Sequence, residues 1–471
     1  MSGGGERTAG EKTAAKSTTG QESGQESGPE AGSGQQAGGD RLWSVDEHLA
    51  DVLAAVRPLA PLELQLLDAQ GCVLTEDVTV PAALPPFDNS SMDGYAVRVA
   101  DVKGASEEFP AVLTVVGEAA AGAGAPPAVG PGEAVRIMTG APLPPGAEAV
   151  VPVEWTDGGT GGGPATAMTP ATPAPDGGFG EVRVHRPAAA GAHVRTRGSD
   201  VRAGEIALTA GTVLGPPQIG LLAAIGRATV AVRPRPRVVV LSTGSELVPP
   251  GETLADGQIH DSNSYVLAAC VRDAGAIPYR AGAVGDDPDV LRAALEDQLV
   301  RADAVVTSGG VSVGAYDVVK EALSGLSGEE GSVAFRRLAM QPGKPQGFGK
   351  VGPDRVPLFA LPGNPVSAYV SFELFVRPAL RALMGLRPSS DRATVRAVLE
   401  RDIASSPRGR RQYLRGRYAD GRVTPTGGAG SHLVKALADA DALIVLPEDT
   451  TSVAAGTEVD VVLLDGRAPL D

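Results

Sequence analysis

The sequence is poor in cysteine, aromatic residues and basic residues, and each shortage excludes a class of protein. Its 471 residues include two cysteines, Cys72 and Cys270, which are far apart in the chain. They form neither a disulfide framework nor a zinc motif, and they fit a reducing cytoplasm. Acidic residues outnumber basic ones by 56 to 41, which argues against a general nucleic-acid surface. No apolar run approaches the ~20 residues of a membrane span, and the first residues lack an apolar signal-peptide core. We therefore expect a cytoplasmic protein without nucleic-acid or membrane partners.

Glycine and proline are instead abundant, with 62 and 39 residues, close to the share found in low-complexity chains. Part of this excess lies in residues 1–40, which have almost no large apolar side chain and are predicted to form a disordered tail. A second part lies in residues 156–180, which we interpret as a flexible insertion between two strands. The remaining glycines fall in loops of a different kind.

Hydrophobic periodicity divides the chain after the tail into regions of different character. Residues 44–57 predict a helix that Ser44 and Glu47 begin with a capping box. We expect it to pack against a second helix at residues 216–225. Continuous apolar strands alternating with amphipathic helices predict an α/β domain with a parallel sheet covered on both faces. The boundaries that we predict are 41–79 with 198–236 for a discontinuous mixed domain, 80–197 for a β-rich domain inserted in it, 237–385 for the α/β domain, and 386–471 for a small C-terminal β domain.

Three glycine-containing loops each follow a strand and precede a helix of the α/β domain. They span residues 242–246, 307–314 and 361–367, and such loops gather at the carboxyl edge of a parallel sheet. Glycines there let backbone N–H groups approach an anion, and Ser308, Ser312 and Ser367 add hydroxyl groups. None of the loops matches the Walker or dinucleotide pattern. A single loop of this kind is equally typical of a simple tight turn, but three on one edge favour a phosphate-bearing ligand.

Charged residues accompany these loops. Glu246 ends the first, Asp286 follows the next strand, and Asp317 follows the second loop; such carboxylates beside phosphate suit Mg²⁺. Asp286 and Asp317 have the alternative role of capping their helices. Lys344 lies in the stiff segment QPGKP, where it is placed to neutralise phosphate rather than to be a solvated surface lysine.

A second group of polar residues occurs in the β-rich region. The segment 87–97 contains Asp93 together with one other aspartate, two serines and an asparagine before a strand. Such a composition also builds a self-hydrogen-bonded turn. Thr139 and Gly140 follow another strand and offer hydroxyl and N–H donors to an oxyanion.

Eight motifs occur in a fixed order along the chain: FDNSSMDGYAVR, RIMTGAPLPPGAEAVVPVE, RGSDV, STGSELV, HDSNSY, TSGGVSVGAYD, QPGKP and LPGNPVS. Together they closely resemble the molybdopterin molybdenumtransferases, a family that includes a bacterial enzyme and the homologous domain of gephyrin. The resemblance covers the chain from Leu42 onward and leaves out the tail and residues 156–180.

The resemblance implies a multidomain α/β fold: an α/β parallel-sheet domain of the molybdopterin-binding type, a β-rich inserted domain, a discontinuous mixed domain and a C-terminal small β-barrel. It implies an elongated homodimer in which the β-rich domain of one subunit faces the α/β domain of the other. The implied activity is Mg²⁺-dependent insertion of molybdenum from molybdate into adenylylated molybdopterin, with release of AMP and molybdenum cofactor. It also raises transient contacts with the adenylyltransferase and with molybdoenzymes.

The resemblance also assigns roles to residues. Glu246, Asp286 and Asp317 would place Mg²⁺ against the pyrophosphate, Thr139 would bind molybdate, and Asp93 would orient the reacting groups. The pterin phosphate would be held by Lys344 and by residues of the glycine loops, namely Thr307, Ser308, Gly309, Gly310, Ser312, Gly314, Gly343, Pro362, Gly363, Asn364, Pro365 and Ser367.

The chain departs from the family pattern at two positions. The family often has lysines where this chain has Arg337 and Gln341, so the positive charge is kept at the first position and lost at the second. Arg410 and Ser431 of the C-terminal domain would close one side of the cleft.

Two other functions stay open from the sequence. The α/β domain alone resembles the enzyme that adenylylates molybdopterin, although the β-rich and C-terminal domains argue against that activity. A non-catalytic scaffold role, which gephyrin also has, is the second alternative, and the retained Asp93, Glu246 and Asp317 argue against it.

Overall fold

The computed structural model describes residues 42–122, 124–170, 178–311, 318–324, 330–387 and 392–464. The predicted tail lies outside these ranges. Within them, no helix is long and apolar enough to cross a membrane.

The strands are short and belong to several sheets. In chain order they are β1 (Leu42–Trp43), β2 (Leu62–Gln65), β3 (Val73–Leu74), β4 (Val78–Thr79), β5 (Asn89–Ser90), β6 (Gly94–Val97), β7 (Ala111–Ala119), β8 (Glu133–Ile137), β9 (Ala149–Pro152), β10 (Glu181–Val184), β11 (Val194–Arg195), β12 (Ile206–Leu208), β13 (Thr229–Arg233), β14 (Arg237–Thr243), β15 (Leu247–Val248), β16 (Ile259–His260), β17 (Ile277–Val284), β18 (Ala304–Ser308), β19 (Gly331–Leu338), β20 (Met340–Gln341), β21 (Pro345–Val351), β22 (Val356–Leu361), β23 (Thr394–Leu399), β24 (Arg411–Ala419), β25 (Arg422–Pro425), β26 (Ala442–Leu446) and β27 (Glu458–Leu463).

The helices lie mainly in the middle of the chain. They are α1 (Val45–Ala55), α2 (Val99–Val102), α3 (Pro216–Ala224), α4 (Asn263–Asp273), α5 (Pro288–Leu299), α6 (Val318–Ser324), α7 (Pro365–Ser371), α8 (Arg377–Leu383) and α9 (Val434–Ala438), with single turns of other helix types at Val153–Trp155 and Phe372–Val376.

The α/β domain is built on a seven-stranded sheet of order β1-β19-β21-β22-β18-β14-β17. Strands β22, β18, β14 and β17 are parallel neighbours, as the sequence predicts. β18 and β22 are buried along their whole length, because both faces of the sheet are covered by helices and their side chains are apolar on both sides. This confirms the predicted α/β domain.

One strand of this sheet runs against the others. β21 pairs antiparallel with both β19 and β22, and its sequence PQGFGKV has no continuous apolar run from which a buried strand is predicted. Its glycines are required by packing, because a Cβ on Gly349 would lie 2.0 Å from the Ser332 carbonyl oxygen. The reversed direction places the start of β21, with Lys344 just before it, at the carboxyl edge of the parallel strands.

The first helix packs on a different partner from the one that the sequence predicts. The capping box of α1 is confirmed, since the Ser44 hydroxyl accepts from Glu47 N–H at 3.1 Å and the Glu47 carboxylate accepts from Ser44 N–H at 2.9 Å. Val52 and Val56 belong to the hydrophobic cluster of the α/β domain. Leu222 of α3 belongs to another cluster. The expectation that α1 and α3 pack together is therefore wrong. β1 pairs with β19 at the edge of the α/β sheet, and α1 follows β1 directly, so α1 packs against that sheet's domain.

Two further groups of strands are formed by the segments that flank the β-rich region and by the β-rich region itself. β13 pairs with β2 and β3, and β12 pairs with β4, so segments on either side of the β-rich region meet. The β-rich region forms a five-stranded sheet of order β10-β7-β8-β6-β9. At the start of the predicted insertion, Thr156 and Asp157 are buried, and the Asp157 carboxylate accepts from Arg183 N–H at 2.9 Å.

The C-terminal strands close into a barrel, as the resemblance implies. β24 pairs with β25 and β26, β23 pairs with β25 and β27, and β26 pairs with β27. β20, which follows the α/β strand β19, pairs parallel with β24. This pairing attaches the barrel to the segment that contains Gln341.

A buried histidine makes the stability of the α/β domain sensitive to acid. Burial and, to a lesser extent, the charge of Arg336 lower the pKa of His48 to about 4. Nδ1 lies 3.3 Å from the Arg336 guanidinium, which can only donate, so the ring is neutral with its proton on Nε2.

Acidification from pH 7 to pH 4.5 is expected to destabilise the fold through His48. The unfolded state takes up a proton near pH 6.5 and the folded state does not until about pH 4, so stability present above pH 6.5 is lost as the pH falls, by up to roughly 3 kcal/mol. Thermal unfolding against pH should show a shallower dependence in His48→Gln. Equal slopes in the two proteins would contradict this assignment.

Candidate active-site cleft

A cleft of about 910 Å³ lies at the carboxyl edge of the α/β sheet. It is lined by the loops that follow β14, β17, β18 and β22, by the segment before β21, and by Ser431 and His432 of the C-terminal region. The predicted residues that line it are Glu246, Asp286, Ser308, Gly309, Gly310, Gly343, Lys344, Pro362, Gly363, Asn364, Pro365 and Ser367.

The glycine loops contact one another so closely that side chains would not fit. Gly309 has φ +100°, and a Cβ there would lie 2.5 Å from the Thr243 carbonyl oxygen. A Cβ on Gly363 would lie 3.3 Å from the Gly309 Cα. The Gly309 N–H donates to the Leu361 carbonyl at 3.1 Å. Gly309 therefore allows the close approach of three loops, and its N–H is not free for an anion.

Gly309→Ala is expected to weaken ligand binding to the cleft at least tenfold, because Thr243 would have to move and carry the first loop with it. Gly251→Ala is a matched control, since Gly251 has φ +99° but nothing within 4 Å of its added Cβ. Both variants incur the same backbone strain. Titration of the cleft with a nucleotide should separate them, and equal affinities would contradict the steric argument.

The carboxylates of the cleft are held by the first loop. Asp286 Oδ2 accepts from Ser245 N–H, and Asp286 N–H donates to Ser245 Oγ, both at 3.0 Å. The following helix is capped by Asp287, whose carboxylate accepts from Asp289 and Val290. The alternative role of Asp286 as a helix cap is therefore wrong.

Positive charge collects at another part of the cleft. Partial desolvation lowers the pKa of Lys344, as do the neighbouring charges of Arg410 and Arg337. The Arg410 guanidinium donates to Gln341 Oε1 at 3.4 Å. The position where the family often has a second lysine is thus neutral in this chain and is reached by an arginine from the barrel.

The order of the strands separates the two kinds of charge. Lys344 precedes β21, whereas Glu246 and Asp286 follow β14 and β17, and the loops after β22 and β18 lie between them. Neighbouring strands are ~4.8 Å apart, so the cations and the carboxylates occupy opposite ends of the cleft.

Asp93 and Thr139 lie away from this cleft in the single chain. They contact each other in the β-rich region, where Asp93 Oδ1 accepts from Thr139 N–H at 2.7 Å and from the Thr139 hydroxyl at 2.9 Å. Both donors of Thr139, its N–H and its hydroxyl, are therefore used on Asp93, and neither is free for an oxyanion in the single chain.

Several predicted residues are not at the cleft surface or are not described. Thr307 is fully buried, and its Oγ1 has no partner in the described part of the chain. Ser312, Gly314 and Asp317 lie outside the described residues. Within the described ranges, no group of three or more histidine, cysteine, aspartate or glutamate side chains is arranged to hold a metal ion.

The structure adds residues to which the sequence assigned no role. His260, Asp261 and Asn263, from the motif HDSNSY, line the cleft, as does His432. The Asn263 side chain donates to the Gly363 carbonyl at 2.7 Å. The motif was recognisable in the sequence, but its packing against residues 100 positions away was not.

Matches to protein families cover most of the chain between residues 43 and 464. Residues 43–226 match the family described as "MoeA N-terminal region (domain I and II)", residues 239–382 match "Probable molybdopterin binding domain", and residues 396–464 match "MoeA C-terminal region (domain IV)".

Individual relatives agree with these matches. The chain is 46% identical over 422 residues to molybdopterin molybdenumtransferase 2 of Mycobacterium tuberculosis, covering 89% of this chain and 98% of that protein. It is 34% identical to the molybdopterin molybdenumtransferase of Bacillus subtilis, covering 83% and 87%. The crystal structure of a molybdopterin biosynthesis MoeA protein from Pyrococcus horikoshii superposes with a TM-score of 0.69 at 32% identity, covering 91% of this chain and 100% of that one. The chain therefore belongs to the molybdopterin molybdenumtransferase family.

Proposed function

We propose that this protein inserts molybdenum from molybdate into adenylylated molybdopterin and releases AMP and molybdenum cofactor. The observation that carries the proposal is one cleft with carboxylates at one end, cations at the other and glycine loops between them. A substrate with a heterocycle, a pyrophosphate and a second anionic group needs these three environments together.

The carboxylates fit Mg²⁺. Glu246 and Asp286 both line the cleft, Asp286 Oδ1 accepts no hydrogen bond from the described residues, and oxygen ligands of this kind are those that Mg²⁺ prefers. Glu246 and Asp286 would hold the ion, with Asp317 as the further ligand that the resemblance implies. Bound Mg²⁺ would neutralise charge on the pyrophosphate.

The other residues bind and orient. Lys344, with Arg337 and Arg410 beside it, binds anionic oxygen atoms at the cationic end. Gly310 and Ser367, which both line the cleft, would lie beside the pterin phosphate. Described residues of the loops after β18 and β22 line the cleft between its two charged ends.

We propose that the functional unit is a homodimer. In the single chain Asp93 and Thr139 do not line the cleft, and a partner subunit would bring them there. Asp93 would then orient the reacting groups, and molybdate would replace Asp93 as the acceptor for the N–H and hydroxyl of Thr139. Transient contacts with the adenylyltransferase and with recipient molybdoenzymes belong to the same proposal. A cytoplasmic location agrees with the two buried cysteines, neither of which forms a disulfide.

The test is a reaction with purified protein, Mg²⁺, adenylylated molybdopterin and molybdate. AMP should be released, and the product should activate a cofactor-free molybdoenzyme. Reactions without molybdate or with unadenylylated molybdopterin and ATP are the controls. The absence of AMP release above background would overturn the proposal, and ATP consumption would instead indicate the adenylylation step.

A further inference from the structure

A chain of hydrogen bonds lies beneath the floor of the cleft and begins at a buried carboxylate. Asp261 is 2% exposed. Its Oδ1 accepts from the Ser242 hydroxyl at 2.9 Å and from Ser264 N–H at 3.0 Å, and its Oδ2 accepts from the Ser264 hydroxyl at 2.5 Å. A carboxylate has no hydrogen to donate, so the direction of each of these bonds is determined.

This direction passes to Ser308, which lines the cleft. The Ser242 and Ser308 hydroxyl oxygens are 3.3 Å apart, and either could be the donor on geometry alone. The single hydrogen of Ser242 is already donated to Asp261, so Ser308 is the donor in the hydrogen bond between the two hydroxyl groups. The Ser308 oxygen then offers the cleft its lone pairs only.

A second acceptor belongs to Asn263, which also lines the cleft. The Asn263 amide nitrogen donates to the Gly363 carbonyl, which determines the orientation of the amide. Its Oδ1 is buried and has no partner among the described residues. The Ser308 oxygen and Asn263 Oδ1 both accept hydrogen bonds, and so does a phosphate oxygen. A phosphate oxygen is therefore disfavoured beside them, because two facing acceptors have no hydrogen to share.

We propose that the cleft floor at Ser308 binds the amino group of a heterocycle, and that Asp261 and Ser242 position the Ser308 hydroxyl as its acceptor. The inference rests on the proposed function, since adenylylated molybdopterin carries two such groups, the aminopyrimidinone edge of the pterin and the amino group of adenine. Phosphate would bind toward Lys344, two strands and roughly 10 Å away. This reverses the sequence-based expectation that Ser308 donates to phosphate.

Phosphate-free ligands that differ in one group test the proposal directly. A pterin carries an amino group where pteridine-2,4-dione carries a carbonyl, and adenosine and inosine differ in the same way. Wild-type protein titrated by fluorescence or NMR is expected to prefer the amino member of one pair about tenfold, the value of one matched hydrogen bond. The pair that shows the preference identifies the heterocycle bound at Ser308.

Variants separate polarity from simple contact. Ser308→Ala removes the acceptor, and Ser242→Ala frees the Ser308 hydroxyl to rotate. In both variants the ratio of the affinity for the amino ligand to that for the carbonyl ligand should fall close to one. Asp261→Asn is the matched control, because its amide oxygen still accepts from Ser242 while its amide nitrogen donates to Ser264. It should keep the preference. Melting temperatures check that each variant is folded.

Three results would overturn the proposal: no preference in wild-type protein for either pair, a preference for the carbonyl members, or no binding of any of the four ligands. These titrations need no turnover. A protein that fails to release AMP but keeps the amino preference would disprove the proposed reaction and leave the floor assignment standing.

Discussion

Glu246→Gln is expected to lower the rate of AMP release by ~10²–10³-fold, equivalent to about 3–4 kcal/mol of transition-state stabilisation. The substitution keeps the size of the side chain and removes its charge. Glu246 lines the carboxylate end of the cleft, and its carboxylate would have to hold Mg²⁺ together with Asp286. The Mg²⁺ concentration for half-maximal rate should rise as well, because one ligand is lost.

Glu252→Gln provides the control for this measurement. It makes the same charge change six residues further along, at a side chain that does not line the cleft, and should change the rate less than twofold. Rates would be followed by AMP release at several Mg²⁺ concentrations. A Glu246→Gln protein with wild-type rates and Mg²⁺ dependence would exclude Glu246 from the metal site.

Glu373→Gln is expected to lower the free energy of unfolding by about 3–5 kcal/mol, because it breaks a buried ion-pair network. Glu373 accepts from Arg377 at 2.8 Å and from Arg392 at 3.0 Å, and Asp273 accepts from the same two arginines. Burial alone would lower the pKa of Arg377, but the charge of Glu373 and the hydrogen bonds of the network raise it. Arg392 also donates to the Leu464 carbonyl. Arg392 precedes the first strand of the barrel and Leu464 follows its last strand, so the network joins the α/β domain to the beginning and the end of the barrel's chain segment.

An exposed ion pair with the same helical spacing provides the comparison. Lys435 and Asp439 are four residues apart, with side chains 85% and 40% exposed, and Asp439→Asn should cost less than about 0.5 kcal/mol. Thermal and denaturant unfolding would measure both variants. Equal losses of unfolding free energy in Glu373→Gln and Asp439→Asn would show that the buried ion pair stabilises the fold no more than the exposed one. A Glu373→Leu/Arg377→Met protein should regain part of the lost stability, since the buried Arg377 is then no longer left without Glu373 and Arg392 keeps Asp273 as its partner.

Local patterns in the sequence were enough to predict individual elements. The capping box at Ser44 and Glu47 and the apolar run of β18 depend on residues within a few positions of one another, so their spacing carries the information. The choice of packing partner for α1 was wrong, because Val52 could cover any apolar surface and only the pairing of β1 with β19 decides which one.

The residues of the cleft were predicted better than their arrangement. Glu246, Asp286 and Lys344 could be selected because each lies in or beside a loop at a strand end. Their separation into two ends of the cleft could not be foreseen, since it depends on the order of the strands. The reversed direction of β21 was hidden as well, because a strand with Gly347 and Gly349 lacks the apolar run that marks its neighbours.

The sequence by itself determined the types of most elements, the family, and the set of loops that lines the cleft. Periodicity and short motifs are local properties of the chain, so the sequence shows them directly. The tertiary structure alone decided which charges lie together and which hydroxyl groups donate. Asp261 and Ser308 are 47 positions apart, and the direction of the bond at Ser308 follows from a carboxylate that it does not touch. Such a relation exists only once three loops are packed on one edge of a sheet, where a buried acceptor leaves each neighbouring hydroxyl one way to be satisfied.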